Sequence, residues 1–407
     1  MWRKWGRRFN RNTHTDAHAH ADRVPESEPG KDHQTVSKWW FGPGRCHRAI
    51  DGSAIVPVTN VARTIGLGLG LVAGGALAWG TLVERRLYTV RSQQARMPGL
   101  NAAAVRILHL SDLHLAPWQR DKVAWIRRLA ELKPDLVIVT GDFMGHPDAL
   151  PQVRHALEVF EGTPGAFVFG SNDYFASKLK NPFGYFSGPS RVKRNPQRLD
   201  TEALRQFLVD DLAWVDLNNT AGRMTANGVD IDLVGVNDPH IHYDRCDAAL
   251  EALEDLRTAD HPPQLSSDEE LLGSPSAHVT IGVTHAPYQR ILNAFTSSGA
   301  ELLLAGHTHG GQVCVPGFGA LVTNCDIPRK QASGMSHWQA GGKRAVLNVS
   351  AGLGTSIYAP VRFACPPEVT VIDLSAESAL AGDSNPAAER NLASQVQPHP
   401  GRRASRR

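Results

Sequence analysis

Acidic, amide and imidazole side chains follow five short apolar runs of the sequence, at the point where each run ends. They are Asp112, His114, Asp142, Asn172, Asp173, His285, His307 and His309. The runs are rich in Val, Ile and Leu, which is typical of buried strands. Ligands of open α/β sheets bind outside the carboxyl ends of the strands, so we expect these side chains to converge. Helix capping or turn formation would explain one such residue, but not five converging ends.

These residue types favour borderline divalent metals. Imidazole nitrogen and carboxylate or amide oxygen bind Mn, Zn, Fe or Ni, and no thiolate accompanies them. His307 and His309 are two residues apart at a strand end, so they point to opposite sides and could serve two ions, with Asp142 as the natural bridge. Two ions about 3.5–4 Å apart can stabilise both oxygens of an in-line phosphoryl displacement, with a bridging hydroxide as the nucleophile. The sequence has no GxxxxGK[ST], HExxH or GxSxG motif, which excludes the enzyme classes that use them.

The elements that must position these residues predict an α/β fold with a partly parallel sheet. The apolar runs are Val105–Leu110, Leu136–Thr140, Ala166–Gly170, Ile231–Val236, Val279–Val283, Leu302–Ala305, Ala345–Val349 and Val369–Leu374. Apolar residues at helical spacing separate the first three runs, which predicts parallel strand–helix–strand units. The later runs, closer together, predict a second, mixed sheet. Residues 257–277 are polar and rich in Pro and Ser, which predicts a surface loop.

Composition excludes several classes of protein. The 43 Lys and Arg against 40 Asp and Glu give a formal net charge of +3, which argues against a polybasic nucleic-acid binder and an acidic disordered chain. We therefore expect no nucleic-acid partner. Five scattered cysteines without a CxxC pair exclude a disulfide scaffold and a zinc ribbon. His109 alternates away from the face that carries the other histidines and is interpreted as a packing residue.

An uncharged segment precedes the α/β region. Thr64–Val83 contains no charged residue, and twenty helical residues span about 30 Å, the thickness of a bilayer core. We predict a transmembrane anchor over residues 63–84, since its many glycines suit a membrane helix better than the alternative, a buried core helix. Polar residues 1–62 and 376–407 predict disordered tails. Basic residues flank both sides of the anchor, so a single-pass protein of the cell membrane is expected with its orientation open.

Five motifs, in order, resemble the calcineurin-like metallophosphoesterase superfamily. They are Asp112-x-His114, Gly141-Asp142, Gly170-Ser171-Asn172-Asp173, His285 and Gly306-His307-x-His309. Gly352–Ser356 and Pro360–Phe363 are similar to the membrane-associated branch that includes YkuE- and YaeI-type phosphodiesterases. The resemblance implies a four-layer α/β/β/α sandwich over residues 100–375, the metallophosphoesterase domain. It also implies two divalent ions and hydrolysis of a phosphodiester or pyrophosphate bond.

The resemblance assigns roles by position. The first ion would bind Asp112, His114 and His309, the second His285 and His307, and Asp142 would bridge them. Asp142, Asn172 and His285 would carry catalysis.

One motif departs from the family. Ser171-Asn172 stands where the family has Asn-His, so the histidine that contacts the substrate phosphate and can protonate the leaving group is absent. We expect Asn172 to bind the second ion and the substrate, with Ser171, directly or through water, as the alternative ligand. Either the natural leaving group is already good, or His240 or His242 replaces the missing acid.

Two further residues are expected at the substrate. Asp238 and His240 follow the Ile231–Val236 run, where His240 would bind substrate. Arg362 is expected to bind phosphate, with a structural salt bridge as the alternative. A membrane anchor would place the site near lipid head groups, which makes a phospholipid or a nucleotide-linked lipid a candidate substrate. The rival functions are a metal-binding membrane scaffold with little activity and an amide hydrolase; no protein partner is predicted.

Overall fold

The computed structural model describes residues 58–100, 103–177, 197–259 and 277–376. Within these residues, an apolar helix leads into two stacked six-stranded sheets and a short hairpin. The strands are β1 (Thr89–Met97), β2 (Val105–Leu110), β3 (Leu136–Thr140), β4 (Gly165–Val168), β5 (Val215–Asp216), β6 (Thr220–Ala226), β7 (Val229–Val236), β8 (His278–Thr284), β9 (Leu302–Ala305), β10 (Cys314–Val315), β11 (Gly319–Ala320), β12 (Gly334–Ala340), β13 (Lys343–Val349) and β14 (Glu368–Ala376). The helices are α1 (Val58–Ala78), α2 (Arg120–Arg128), α3 (Leu150–Leu157), α4 (Ser171–Tyr174), α5 (Thr201–Gln206), α6 (Cys246–Ala259) and α7 (Gln289–Ser297).

The first sheet has the strand order β1-β14-β2-β3-β4-β5. Strands β2 to β5 are parallel, and β14 runs antiparallel to β2. Helices α2 and α3 cover its outer face, where Ile126 and Leu157 pack with Leu108 and Val137. Strand β1 pairs with β14, so the domain begins before residue 100, where the sequence placed its start.

The second sheet has the order β12-β13-β9-β8-β7-β6, and its central strands are parallel while β12 and β6 are antiparallel. Helices α6 and α7 cover its outer face, where Leu253 and Phe295 pack with Val234. The sequence did not predict these two helices. Because α6 continues to Ala259, residues 257–259 are helical rather than part of the predicted loop, and 260–276 lie outside the described residues.

The inner faces of the two sheets meet in a mainly apolar layer, which completes the four-layer sandwich expected from the sequence. Its polar residues include the fully buried His109 on β2. The His109 Nε2 atom lies 3.0 Å from the Thr140 hydroxyl, and Nδ1 lies 2.8 Å from the Asn348 amide of the second sheet. Burial lowers the pKa of His109 to about 3. His109 is therefore the neutral packing residue that the sequence indicates.

The apolar helix attaches directly to this sandwich. Residues Arg63–Arg86 form a helical segment that is long and apolar enough to cross a membrane and is almost entirely exposed. The helix begins at Val58, before the predicted boundary. At its other end Gly80 packs against the backbone of Arg362, whose N–H donates to the Gly80 carbonyl at 3.1 Å. Residues 1–57 and 377–407, which include most of the predicted tails, lie outside the described residues.

Candidate metal centre

All the predicted metal ligands lie just beyond the carboxyl ends of parallel strands. Asp112 and His114 follow β2, Asp142 follows β3, Asn172 follows β4, His285 follows β8, and His307 and His309 follow β9. Both sheets contribute, so the cluster forms where the same edges of the two sheets meet. This is the convergence that the sequence pattern predicts.

Asp112, His114 and His309 form the first group of ligands. The His114 and His309 Nε2 atoms lie 3.3 Å apart, and Asp112 Oδ1 lies 3.7 Å from His309 Nε2. Burial lowers the pKa of His114, and lowers that of His309 to about 3, so both rings are neutral and keep a lone pair. Asp112 Oδ1 has no hydrogen-bond partner in the described part of the chain. Neutral imidazole nitrogens that converge with a carboxylate oxygen fit a cation.

Asp142 connects the first group to a second. Its Oδ2 atom lies 3.4 Å from His114 Nε2 and 3.7 Å from His285 Nε2. His307 Nδ1 lies 3.2 Å from His285 Nε2, and the Asn172 amide lies 2.7 Å from Asp142 Oδ2. In this contact the Asn172 amide N–H donates to Asp142, and the Asn172 Oδ1 atom accepts from the Ser177 hydroxyl at 2.7 Å. That Asn172 binds the second ion stays a prediction.

The carboxylates around His285 control its charge. Burial alone would lower its pKa, but Asp142, Asp238 and Asp112 outweigh burial and raise the pKa to about 9. Without an ion, the buried carboxylates therefore retain a proton on His285. A divalent cation bound here would replace that proton.

Five of the candidate ligands have left-handed backbone conformations. Their φ values are 49° at Asp112, 40° at His114, 56° at Asp142, 67° at His307 and 49° at His309. Such conformations cost of the order of 1–3 kcal/mol each for residues other than glycine and occur mainly at functional sites. The surrounding fold maintains this strain, and the strain turns the side chains of consecutive loops toward one another.

Glycines allow these loops to approach one another. A Cβ atom on Gly306 would lie 2.6 Å from Asp112 Oδ2, and one on Gly170 would lie 2.7 Å from the His285 ring. Any larger residue at either position would displace a candidate ligand. Steric exclusion by the candidate ligands therefore explains why Gly170 and Gly306 are glycines.

Asp173 holds two of the loops together, a role the sequence analysis did not assign. Its buried carboxylate accepts hydrogen bonds from the backbone N–H groups of Asp142 and Phe143, both at 2.8 Å, and of Gly170 at 2.9 Å. It thereby ties the loop after β3 to the start of α4. An acidic residue three positions after a helix N-cap is a capping signal that could have indicated this role.

Asp238 and His240 line the second group, as expected from their position after β7. The His240 and His307 ring centroids are 4.4 Å apart, and Asp238 is fully buried with its Oδ1 accepting from the His240 N–H. His242 is exposed to solvent. The main-chain carbonyl oxygen of Asn324, a residue that sequence reasoning missed, lies 3.3 Å from His307 Nε2.

Arg362 does not lie in the cleft. It is fully buried, and its guanidinium donates to the carbonyl groups of Ala351, Gly352 and Gly354 at 2.7–3.0 Å. In the described part of the chain it forms no salt bridge, so neither role expected from the sequence fits this placement. Instead it supports the backbone behind His309, whose carbonyl lies 3.5 Å from Nη1.

Lys122 supports the backbone of the first group next to His114. It is buried, and its Nζ donates to the Leu113 carbonyl at 2.8 Å, next to His114. Burial lowers the pKa of Lys122 to about 7. Lys122 and Arg362 thus both position the loops of the first group through main-chain carbonyls.

Comparison with known proteins agrees with this geometry. A sequence model of the calcineurin-like phosphoesterase family matches residues 105–311. The chain is 23% identical over 312 residues to the uncharacterized metallophosphoesterase YkuE of Bacillus subtilis (strain 168), covering 75% of this chain and 91% of that protein. It is 26% identical over 231 residues to a transmembrane protein with metallophosphoesterase domain of Bos taurus, covering 53% and 42%. The structure of the calcineurin-like phosphoesterase YfkN from Bacillus subtilis aligns with 72% of this chain and 99% of its own, at 11% identity and a TM-score of 0.33. That score is low, so the sequence matches carry the comparison.

Proposed function

Because this chain belongs to the calcineurin-like phosphoesterase family, we propose that it hydrolyses a phosphodiester or pyrophosphate bond at a membrane surface. Membership of the family makes it a metal-dependent phosphoester hydrolase. The observation that carries the proposal is the position of Asp142 Oδ2, 3.4 Å from His114 Nε2 and 3.7 Å from His285 Nε2. One carboxylate oxygen lies between two groups of ligands, as a bridge between two ions requires.

The residues at the site fit two divalent ions. Asp112, His114 and His309 would hold one ion, His285, His307 and Asn172 the other, and Asp142 both. When bound, such ions supply a water-derived nucleophile at neutral pH and neutralise charge on the phosphoryl oxygens. The strained loops direct the candidate ligands toward one another, and the Asp173 carboxylate fixes the backbone of Asp142. His240, beside His307, is positioned to bind the substrate phosphate.

The Ser171-Asn172 pair, which departs from the family motif, favours a substrate bond with a good leaving group. Asn172 occupies the position where the family carries the histidine that can protonate the leaving group, and an amide cannot supply that proton. A general acid typically contributes 10²–10⁴-fold to the rate. A leaving group that is already stable as an anion, such as the phosphate released from a pyrophosphate bond, does not need it. His240 is the alternative proton donor.

The apolar helix supports a membrane location. Arg63–Arg86 has the length and composition of a membrane span, and the bovine relative is described as a transmembrane protein. We propose that the helix anchors the enzyme in the cell membrane as a single span. A phospholipid or a nucleotide-linked lipid would then be within reach of the site.

Hydrolysis of bis(p-nitrophenyl) phosphate by the full chain in detergent micelles tests the proposal. We expect turnover that requires added Mn²⁺, stops with chelator and falls at least about 100-fold in Asp142→Ala. Asp148→Ala is the matched control, since this nearby carboxylate is 83% exposed, and it should retain full activity. A folded, metal-loaded chain without turnover would favour the metal-binding scaffold, and equal rates on an aryl amide would favour an amide hydrolase.

A further inference from the structure

Exposed apolar side chains border the metal centre. Val315 is 44% exposed, Phe318 62% and Tyr358 44%. We call these three residues the apolar rim. Single exposed apolar residues are ordinary, but a group of them beside a functional site marks a surface that binds a partner.

The apolar rim stands on loops that start from the candidate metal ligands. The β10–β11 hairpin, which carries Val315 and Phe318, follows Gln312, whose N–H donates to the His309 carbonyl at 2.9 Å. The chain returns from the hairpin at Asn324, against His307. The Gln312 side chain also donates to the Ala359 carbonyl at 2.7 Å, which joins the hairpin to the loop of Tyr358. The loops that carry the apolar rim are therefore tied directly to the loops of the candidate metal ligands.

The same loops meet the apolar helix. The Cys314 N–H donates to the Phe363 carbonyl at 2.8 Å, and the neighbouring Arg362 N–H donates to the Gly80 carbonyl at 3.1 Å. At this end of the helix Trp79 is 47% exposed and Leu82 is 60% exposed. Backbone hydrogen bonds thus connect the helix end to the loops that carry the apolar rim.

Basic side chains accompany the apolar rim. The Arg329 guanidinium lies 5.3 Å from the centroid of the Phe318 ring, and the next residue, Lys330, is exposed. Apolar and aromatic side chains bordered by cations are typical of surfaces that lie in the interface of a bilayer with anionic lipids.

We propose that the apolar rim inserts into the head-group layer of the membrane that holds the helix, so that the metal centre opens onto lipid. The substrate class is then a phosphate ester carried by a membrane lipid. This inference rests on the proposed function for its anchor and its chemistry. The occupant of the surface is an anionic bilayer, because the loops of the apolar rim are hydrogen-bonded to the segment that meets the apolar helix and carry cations.

Photo-cross-linking tests the contact independently of activity. The full chain, with benzoylphenylalanine in place of Phe318, is reconstituted in vesicles of about 70% phosphatidylcholine and 30% phosphatidylglycerol. The matched control carries the same group in place of Gln339, an exposed residue of β12. Gln339 pairs with Arg344 at the end of the sheet away from the metal ligands. We expect lipid adducts at 318 and not at 339. No excess at 318, or adducts with a protein instead of lipid in native membranes, would overturn the proposal.

A second experiment separates the apolar rim from the chemistry. Val315→Ser combined with Phe318→Ser should lower hydrolysis of a vesicle-borne diacylglycerol p-nitrophenyl phosphodiester by about tenfold, while hydrolysis of soluble bis(p-nitrophenyl) phosphate stays unchanged. Arg329→Gln with Lys330→Gln should weaken the lipid reaction more than the matched pair Lys343→Gln with Arg344→Gln. Equal rates of all variants on the lipid diester would contradict the inference. A wild-type chain that hydrolyses neither diester would instead contradict the proposed function, and the cross-linking result would still judge the contact.

Discussion

Two buried histidines, His109 on β2 and His114 just beyond its end, lie in regions that differ in how far the ring nitrogens are hydrogen-bonded. Both ring nitrogens of His109 have partners, Thr140 and Asn348, in the layer between the sheets. His114 Nδ1 has no partner in the described part of the chain, and its Nε2 faces that of His309. Burial is the same in both cases. What distinguishes a packing histidine from a candidate ligand is therefore the set of partners, because a ligand must keep its lone pair free for the ion.

Arg362, whose guanidinium donates to several buried main-chain carbonyl groups, offers the largest test of the paired side of this contrast. Arg362→Met would leave several buried carbonyl groups without a donor, and each such group costs about 1–3 kcal/mol. We expect the free energy of unfolding to fall by about 4 kcal/mol, measured by urea denaturation of the full chain in detergent. Arg344→Met, at an exposed position on β13, should change it by less than about 0.5 kcal/mol. Similar values for both variants would mean that the carbonyl contacts of Arg362 contribute little.

The pH dependence of stability tests His109 itself. Its pKa in the folded protein is about 3, below the ordinary 6.5, so the unfolded chain binds more protons between these values. Stability must therefore fall as the pH falls from about 6.5 toward 3. With chelator present, we expect wild type to lose about 3 kcal/mol more than His109→Gln between pH 6.5 and pH 4. Parallel profiles would show that His109 is not held neutral by the fold.

Metal addition tests the other side of the contrast. Mn²⁺ at about 100 times its dissociation constant should stabilise the wild-type chain by about 2.7 kcal/mol per site. His309→Ala should lose most of the gain that comes from the first site. His109→Gln should keep the full gain, since His109 has no lone pair directed at the cluster. Thermal unfolding with and without Mn²⁺ measures the difference. An equal loss in both variants would remove the distinction between the two regions.

The smallest effect is expected at Ser171-Asn172, the pair that departs from the family motif. Asn172 reaches Asp142, so Asn172→Ala should lower kcat/KM by about tenfold or more through a weaker second site. Ser171→Ala should change it by less than about threefold if Asn172 is the ligand. Metal content per chain, measured on both variants, gives an independent readout. The reverse order of effects would identify Ser171 as the ligand.

The sequence predicted eight apolar strands and missed six other strands of the described residues, β1, β5, β6, β10, β11 and β12. Seven of the eight predicted runs lie within strands, and the eighth, Ala166–Gly170, overlaps β4, which ends at Val168. Val- and Ile-rich runs that are buried on both faces leave a clear signal. Strand β1 has the sequence TVRSQQARM and buries only Ala95 and Met97. Its position comes from pairing with β14, and pairing of an edge strand with a distant segment leaves no local pattern.

The sequence indicated most of the side chains that converge at the candidate site, but not the residues that support them. Residue types at strand ends indicated Asp112 and the histidines, because the chemistry requires those types. Their left-handed conformations were not visible, since nothing in Asp or His demands a positive φ. The position of Arg362 was also hidden: arginine is rarely fully buried, and the carbonyl groups that surround it come together only in the folded chain.

The hydrogen bond between the Gly80 carbonyl and Arg362 has a kinetic consequence. It holds the domain close to the end of the apolar helix, so an enzyme anchored by that helix would meet its substrate within the plane of the membrane. Its turnover would follow the number of substrate molecules per unit area of membrane rather than their number per unit volume. Diluting the substrate with inert lipid at constant total amount would slow the reaction, whereas diluting the whole vesicle suspension would leave the rate per enzyme unchanged.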